Sequence, residues 1–290
     1  MASYNTVKIT RQEEIAPGFY FLSFKSPFLV HQAQPGQFVY FRCSNTYDPL
    51  LPRPFSIAMV NEEKNEAAVL YQVVGRGTAL LAQKKELDYL NVLGPLGRGF
   101  TLPPLGQPFQ PKCCPKGLEQ LKNFPQFFLR IAVVAGGVGI APLFFLLQRL
   151  KDLPDLIIEI LIGARSTKQL LLKPEIKNLS PQINLHLATD DGSCGYHGPV
   201  TEMLSTLLGA DKIDLVYACG PKAMLKTVAK LLAEYNLPGE VSLEKQMGCG
   251  VGACLSCVCK TKGDKENSFR YSRVCKEGPV FPAQEIIWED

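Results

Sequence analysis

The chain runs to 290 residues, 46% of them hydrophobic and 20% charged, with a formal net charge of +4. That is too long for one small compact domain and suits two domains with a tail, with apolar side chains enough for buried cores. The positive excess is small and no run of five basic residues occurs, so nucleic-acid or membrane-surface binding has no electrostatic signature. The most apolar run, residues 131–147, spans 17 positions with three glycines and Pro142. It is short for a membrane span and reads as a buried strand, turn and helix. No targeting segment is visible, and a cytoplasmic location is expected.

Residues 1–100 carry short β-rich runs at Thr6–Thr10, Phe19–Lys25, Gln37–Cys43, Phe55–Val60, Ala67–Val74 and Tyr89–Leu93. Pro17-Gly18, Pro35-Gly36 and the polar Asn61–Glu66 stretch separate them, the close regular spacing of a small antiparallel barrel. Phe19–Phe24 is more apolar than strict alternation expects, which predicts cover on both faces. Two spots stand out. In Arg53-Pro54-Phe55-Ser56, the guanidinium fork suits a pyrophosphate, Pro54 places the chain at a sheet edge, Phe55 offers a flat apolar face and Ser56 a hydroxyl. In Leu70-Tyr71-Gln72 through Gly75-Arg76-Gly77-Thr78, a strand runs through a glycine turn into a Thr-capped helix start, where backbone N–H groups meet phosphates. Taken alone, each is more often a plain turn or strand start.

Residues 101–129 form a Pro/Gly-rich connection. Its adjacent Cys113 and Cys114 point apart and have no companion ligand spacing, so they read as surface linker cysteines. From 130 the pattern alternates strand and helix. Candidate strands lie at Arg130–Ala135, Leu156–Ile162, Ile183–Ala188, Ile213–Ala218 and Val241–Lys245, with helices at Leu143–Leu150, Thr167–Ile176, Thr201–Leu208 and Lys222–Tyr235. This succession predicts a parallel sheet with helices on both faces. Gly136, Gly137 and Gly139 form the turn after the first strand, where a dinucleotide pyrophosphate binds, although the usual Gly-x-Gly-x-x-Gly fingerprint is not met. Cys219-Gly220-Pro221 follows the fourth strand at the carboxyl edge of the sheet. Cys219 reads equally as a ligand-facing group and as a core thiol. His31, His186 and His197 have no metal-like spacing, and no side chain is identified as catalytic.

Five of the ten cysteines fall between residues 249 and 275. Cys249-x4-Cys254-x2-Cys257 with the distant Cys275 is the plant-type 2Fe–2S ligand pattern. Gly248, Gly250, Gly252 and Ala253 allow the tight loop that three thiolates around one cluster require. Cys259 is left over, a buried inert thiol. Structural zinc also accepts four cysteines, and a zinc-stabilised nucleotide-binding regulatory module is the reading from another class. Beyond the last ligand, Lys276–Pro282 and Ile286–Trp288 offer apolar side chains that suit a docking surface for a redox partner or a cover for the cluster.

Taken together, the barrel, Arg-Pro-x-Ser, Gly-x-Gly-Thr and Gly94–Phe100 resemble the flavin domain of the ferredoxin–NAD(P) reductase superfamily. The resemblance implies FAD with Arg53 on its pyrophosphate, Ser56 near flavin N5, and Leu70, Tyr71, Gln72, Gly77 and Thr78 along it. Many relatives carry tyrosine where Phe55 stands. Gly-Gly-Val-Gly-Ile-Ala-Pro-Leu from Gly136 is typical of the superfamily's nucleotide domain, which implies NAD(P) there and the Cys-Gly-Pro segment beside the nicotinamide. Arg165 and Ser166 end the second strand where the adenosine ribose would sit and do not decide between NAD and NADP. With the cysteine tail, nearly the whole chain outside 101–129 is similar to the electron-transfer subunits of B-type dihydroorotate dehydrogenases.

The expected architecture is multidomain: an antiparallel β-barrel flavin domain at 1–100, a linker or insertion at 101–129, an α/β parallel-sheet nucleotide domain at 130–246 and a small C-terminal 2Fe–2S domain at 247–290. The resemblance implies FAD, the cluster and NAD as diffusible co-substrate. It also implies an FMN-containing catalytic subunit that oxidises dihydroorotate in pyrimidine biosynthesis, two copies of each chain forming a heterotetramer. A reductase subunit serving another partner, such as a ferredoxin, glutamate synthase-like or sulfide-oxidising complex, is the alternative.

Overall fold

Alternation of side chains along β3 (Phe38–Arg42) divides the molecule into its layers. Val39 and Phe41 point into one apolar core, whereas Phe38 and Tyr40 point the other way into a second. A strand presents successive side chains to opposite faces, so this one element serves both. The computed structural model describes residues 2–44, 46–103, 129–210, 213–263, 265 and 268–289. Most of the predicted 101–129 connection, with Cys113 and Cys114, lies outside the described residues.

The first core fills a closed barrel. Its strands are β1 (Ser3–Ala16), β2 (Phe19–Lys25), β3, β4 (Arg53–Asn61), β5 (Glu66–Gln72) and β6 (Tyr89–Leu96), in the order β1-β2-β5-β4-β3-β6. β6 pairs back on β1 from Ser3↔Gly94 to Lys8↔Tyr89, which leaves no open edge. Two short helices decorate the barrel, α1 (Pro27–Gln32), capped by the Ser26 hydroxyl, and α2 (Arg76–Ala82). The excess apolarity of β2 has its reason here. Leu22 and Phe24 face the barrel core, while Phe19 and Phe21 face the neighbouring sheet domain. Each such buried side chain contributes about 1.5–3 kcal/mol.

The sheet domain comprises β7 (Leu129–Gly136), α3 (Ile140–Leu150), β8 (Leu156–Ala164), α4 (Lys173–Lys177), β9 (Ile183–Thr189), β10 (Tyr196–His197), α5 (Val200–Ala210), β11 (Leu215–Cys219), α6 (Lys222–Glu234) and β12 (Gly239–Ser242). The order is β10-β9-β8-β7-β11-β12, and every pairing within this set is parallel. Ile131, Val133 and Ala135 face α3, while Ala132 and Val134 share a core with α5 and α6. Phe145 of α3 reaches into the barrel core. The helix expected at Thr167–Ile176 is broken instead. A 3-10 turn at Thr167–Gln169 is followed by buried Leu170 and Leu171, then by Leu172 at φ 57, before α4 begins. Pro174 sits in the first turn of α4, where its missing N–H costs nothing, but it cannot lie inside a longer helix. The last strand of this set also ends early, at Ser242 rather than Lys245.

The cysteine-bearing tail is bound into this frame. β13 (Val258–Lys262) and β14 (Phe269–Arg273) form a hairpin, and β15 (Val280–Pro282) runs antiparallel to β12 as the last strand of the large sheet. Val280 is fully buried and Phe281 is 4% exposed, so the segment expected to suit docking is core. Ile286 is buried too, Ile287 N–H donates to Lys260 O at 3.0 Å, and Lys260 pairs with Glu289. Among the described residues no helix is long and apolar enough to cross a membrane.

Candidate functional site

Three regions meet where the barrel, the large sheet and the tail converge. The first is a cleft of about 360 Å³ lined from the barrel by Phe38, Arg53, Pro54, Phe55, Ser56, Leu70, Tyr71, Gln72, Val74 and Thr78. Its far wall is Val138, Ala141 and Cys219 from the sheet domain, and Ser242 to Lys245, Met247 and Pro279 close one end. Phe55 is buried against Phe41 and Tyr71, with ring centroids 5.1 and 5.4 Å away. Tyr71 accepts a hydrogen bond from Gln12 Nε2 at 2.9 Å, and burial pushes its phenol well above the ordinary value. Thr78 is not the helix cap that the sequence suggests. Gly75 caps α2, and the Thr78 hydroxyl, one turn in, accepts from the N–H groups of Val74 and Gly75 and donates to Gly75 O. Gly75 and Gly77 do not line the cleft; Gly77 lies beneath the Arg53 side chain.

The second region is a cleft of about 480 Å³ along the carboxyl ends of β7, β8 and β11. Gly136, Gly137, Gly139, Gly220 and Pro221 line it, with Arg165 and Asp190 on the opposite rim. The glycines have separate jobs. A Cβ on Gly139 would lie 2.3 Å from Cys219 O, and one on Gly136 would lie 2.8 Å from Pro221 Cδ, so both let the two turns touch. Gly137 has φ +54 with nothing within 4 Å of a Cβ, leaving backbone N–H groups open to a ligand. This cradle fits a dinucleotide pyrophosphate. Cys219 is buried at the junction, its thiol raised far above the ordinary value by desolvation, with Ser242 as hydrogen-bond partner. Cys219 is thus a core thiol that also lines the first cleft.

The two clefts adjoin, with Gln72, Val138 and Glu244 lining both. Glu244 was not singled out from the sequence. It is solvent-exposed but recessed among protein atoms, and desolvation raises its carboxyl pKa. The available signal was its place just past the carboxyl end of a strand; reading that strand on to Lys245 concealed it.

The third region begins at Met247, which lines the end of the first cleft two residues before Cys249. The loop turns at Gly250 and Gly252, with φ +71 and +82, and at Leu255, with φ 60, rather than at Gly248. Four thiols gather there as two interacting pairs, Cys249 with Cys254 and Cys257 with Cys275. Among the described residues no three such donors gather to hold a single metal ion. Two thiolates for each of two irons is the donor set that a 2Fe–2S cluster takes. Backbone N–H groups already point at sulfur: Ala253 and Cys254 donate to Cys249 Sγ at 3.2 and 3.4 Å, and Cys275 to Cys257 Sγ at 3.4 Å. The Ser256 hydroxyl, 3.2 Å from Cys254 Sγ, and backbone bonds draw that exposed thiol down to about 6, toward the thiolate that ligation needs. Cys257 and Cys275 are buried. Cys259 faces the core instead, and desolvation pushes its thiol up to about 11. Arg273 braces the loop, donating to Gly252 O at 2.9 Å and pairing with Glu277.

One phenol lies under this loop. Tyr40 is 1% exposed, and burial followed by the charges of Cys275, Cys249, Cys257 and Cys254 holds its hydroxyl protonated.

Comparison with known proteins agrees with this division. The family model for the iron-sulfur cluster binding domain of dihydroorotate dehydrogenase B matches residues 244–287, and that for the oxidoreductase NAD-binding domain matches residues 133–230. The electron transfer subunit of dihydroorotate dehydrogenase B (NAD(+)) from Desulforamulus reducens is 40% identical over 289 residues, covering 100% of both chains. Its counterpart from Bacillus caldolyticus is 35% identical over 99% of this chain and 100% of its own. Among solved structures, the NADH-dependent reduced ferredoxin-NADP oxidoreductase is 27% identical with a TM-score of 0.78, covering 97% of this chain and 90% of that one. A ferredoxin NADP+ reductase from Neisseria gonorrhoeae shares the fold alone, at 17% identity and a TM-score of 0.61 over 80% of this chain and 91% of its own. Barrel, glycine cradle and cysteine loop are thus the parts of one oxidoreductase subunit, and the chain belongs to the family of dihydroorotate dehydrogenase B (NAD(+)) electron transfer subunits.

Proposed function

We propose that this chain holds FAD in the barrel cleft, receives NAD in the glycine cradle and carries a 2Fe–2S cluster on Cys249, Cys254, Cys257 and Cys275. The observation that carries this reading is adjacency: the nucleotide cleft and the barrel cleft share Gln72, Val138 and Glu244 in their walls, and Met247, two residues before the first cysteine, lines the barrel cleft. Nicotinamide delivers or takes an electron pair as hydride, flavin works with both pairs and single electrons, and the cluster holds one at a time.

The protein's part is placement. Arg53 offers its guanidinium to a pyrophosphate, Ser56 a hydroxyl to the flavin ring, and Phe55 with Tyr71 a flat apolar wall. Leu70, Gln72 and Thr78 line the cofactor, and Pro54 keeps a backbone donor out of that wall. The open backbone at Gly137 suits a second pyrophosphate, and the Cys219-Gly220-Pro221 turn closes on the nicotinamide end. In this reading the flavin domain is 1–100, the linker or insertion 101–129, the nucleotide domain 130–246 and the cluster domain 247–290, and the pairing of β15 with β12 supports a tie between the last two.

The same reading gives this chain an FMN-containing catalytic subunit as partner, two of each in the assembly, working in the cytoplasm. Electrons between the two pass by way of the exposed rim of the cysteine loop, where Val251 is 48% and Leu255 60% exposed. Purification tests it: the chain should carry one flavin, two irons and two sulfides. A colourless protein, or one that leaves an untagged dihydroorotate-oxidising FMN protein uncaptured, overturns the corresponding half.

A further inference from the structure

Tyr40 is among the largest fully buried side chains, yet among the described residues its hydroxyl has no hydrogen-bond partner. A buried polar atom left alone is uncommon and demands a reason. The phenol is the right size for its place: a Cβ at Gly250 would meet Tyr40 Cε2 at 2.7 Å and Cζ at 3.1 Å, so the cysteine loop lies directly against the hydroxyl-bearing end of the ring. Tyr40 shares its apolar surroundings with Cys257 and Cys275, and all four cysteines act electrostatically on its hydroxyl. The backbone donors to sulfur come from the tail itself, from Ala253, Cys254 and Cys275. Tyr40 instead comes from β3 of the barrel. Its ring centroid is 6.0 Å from that of Phe38, which lines the barrel cleft.

We propose that the Tyr40 hydroxyl donates a hydrogen bond to a sulfur of the cluster held by Cys249, Cys254, Cys257 and Cys275, and thereby raises its reduction potential. This rests on the iron–sulfur reading given above. A donor to sulfur stabilises the reduced cluster, which carries the extra negative charge, more than the oxidised one. Because β3 also borders the flavin cleft through Phe38, one barrel strand lies against both redox sites.

The test is a redox titration of the FAD- and cluster-loaded protein, wild type against Tyr40→Phe, followed by electron paramagnetic resonance. The expected result is a cluster midpoint that moves negative, about a tenfold loss in the constant for one-electron reduction, ~59 mV. Iron content and the flavin midpoint stay unchanged. An unchanged cluster midpoint overturns this proposal alone, whereas a wild-type chain without iron and sulfide overturns the cofactor reading together with it. Should Tyr40→Phe lose the cluster, the wild type decides. Grown on tyrosine carrying 17O in the phenol, its reduced cluster should show hyperfine coupling to that oxygen, and absence of the coupling overturns the proposal.

Discussion

Gly77 lies directly beneath the Arg53 side chain: a Cβ at position 77 would lie 3.1 Å from Arg53 Nε and 3.2 Å from its Cγ. Two sequence features 24 residues apart are thus one piece of structure, the glycine making room for the guanidinium on the strand beside it. Arg53 also donates through Nη1 to Leu51 O at 2.6 Å, which fixes its direction.

Arg53→Ala should therefore weaken flavin retention far more than folding. Hydrogen bonds to a charged group are worth about 1.5–3 kcal/mol each, roughly a 10- to 150-fold loss in affinity for one. Gly77→Ala should act in the same direction but less, since a flexible side chain can yield by a few tenths of an ångström. Flavin absorbance after exhaustive dialysis, beside thermal unfolding, measures both. Stoichiometric flavin in Arg53→Ala would remove Arg53 from the cofactor.

Serine at each of the five tail cysteines separates ligands from bystander. Cys249, Cys254, Cys257 and Cys275 interact with one another, whereas Cys259 packs among apolar side chains. Iron and sulfide per chain should fall in the first four variants and stay at two each in Cys259→Ser. Loss of cluster in Cys259→Ser with retention in Cys275→Ser would reverse the assignment.

The barrel and the alternating sheet domain were legible because each is written locally. Strand runs bounded by Pro-Gly turns and a strand followed by a glycine turn need no distant partner to be recognised. The cysteine loop was legible for the same reason, its ligands lying within nine positions except for Cys275. What escaped depends on packing between elements far apart in the chain. Tyr40 reads as an ordinary strand tyrosine until the loop around Gly250 is laid against it. Val280 and Phe281 read as an exposed apolar segment until β12 is seen to need an antiparallel neighbour. Glu244 was hidden by an error of three residues at a strand end, Lys245 in place of Ser242, because local patterning fixes where a strand lies better than where it stops.

The proposed function puts the partner surface on the loop and not on the final residues. Leu255→Asp should then abolish association with the catalytic partner subunit while leaving flavin, cluster and NADH–dye activity in place, because Leu255 is 60% exposed. Deleting residues 284–290 should behave differently. It removes buried Ile286, the bond from Ile287 to Lys260 and the Lys260–Glu289 pair, so it should lower thermal stability. Gel filtration with the partner, and melting curves without it, distinguish the two. Full association of Leu255→Asp would move the docking surface elsewhere.

Glu240 gives the fold a pH dependence of its own. The side chain is fully buried on β12, where its two oxygens accept from Thr101 N–H at 2.7 Å and Thr101 Oγ1 at 2.9 Å. Desolvation raises its pKa to about 7, against these two hydrogen bonds and the charge of Arg98, which lower it. In the unfolded chain the same carboxyl titrates near its ordinary value of 4.5. Below that value both states hold the proton and the contribution is constant. As pH rises from 4.5 to about 7, the unfolded chain loses its proton while the folded chain keeps it, so stability declines through this window and levels off above it. The full loss is about 3 kcal/mol at most. Glu240→Gln keeps the shape and one acceptor for Thr101 but cannot titrate. Urea midpoints measured from pH 5 to 8 should fall in the wild type relative to the variant, the curves running parallel only above pH 7. If the two profiles run parallel from pH 5 upward, Glu240 does not titrate in that window and the buried carboxyl is charged throughout.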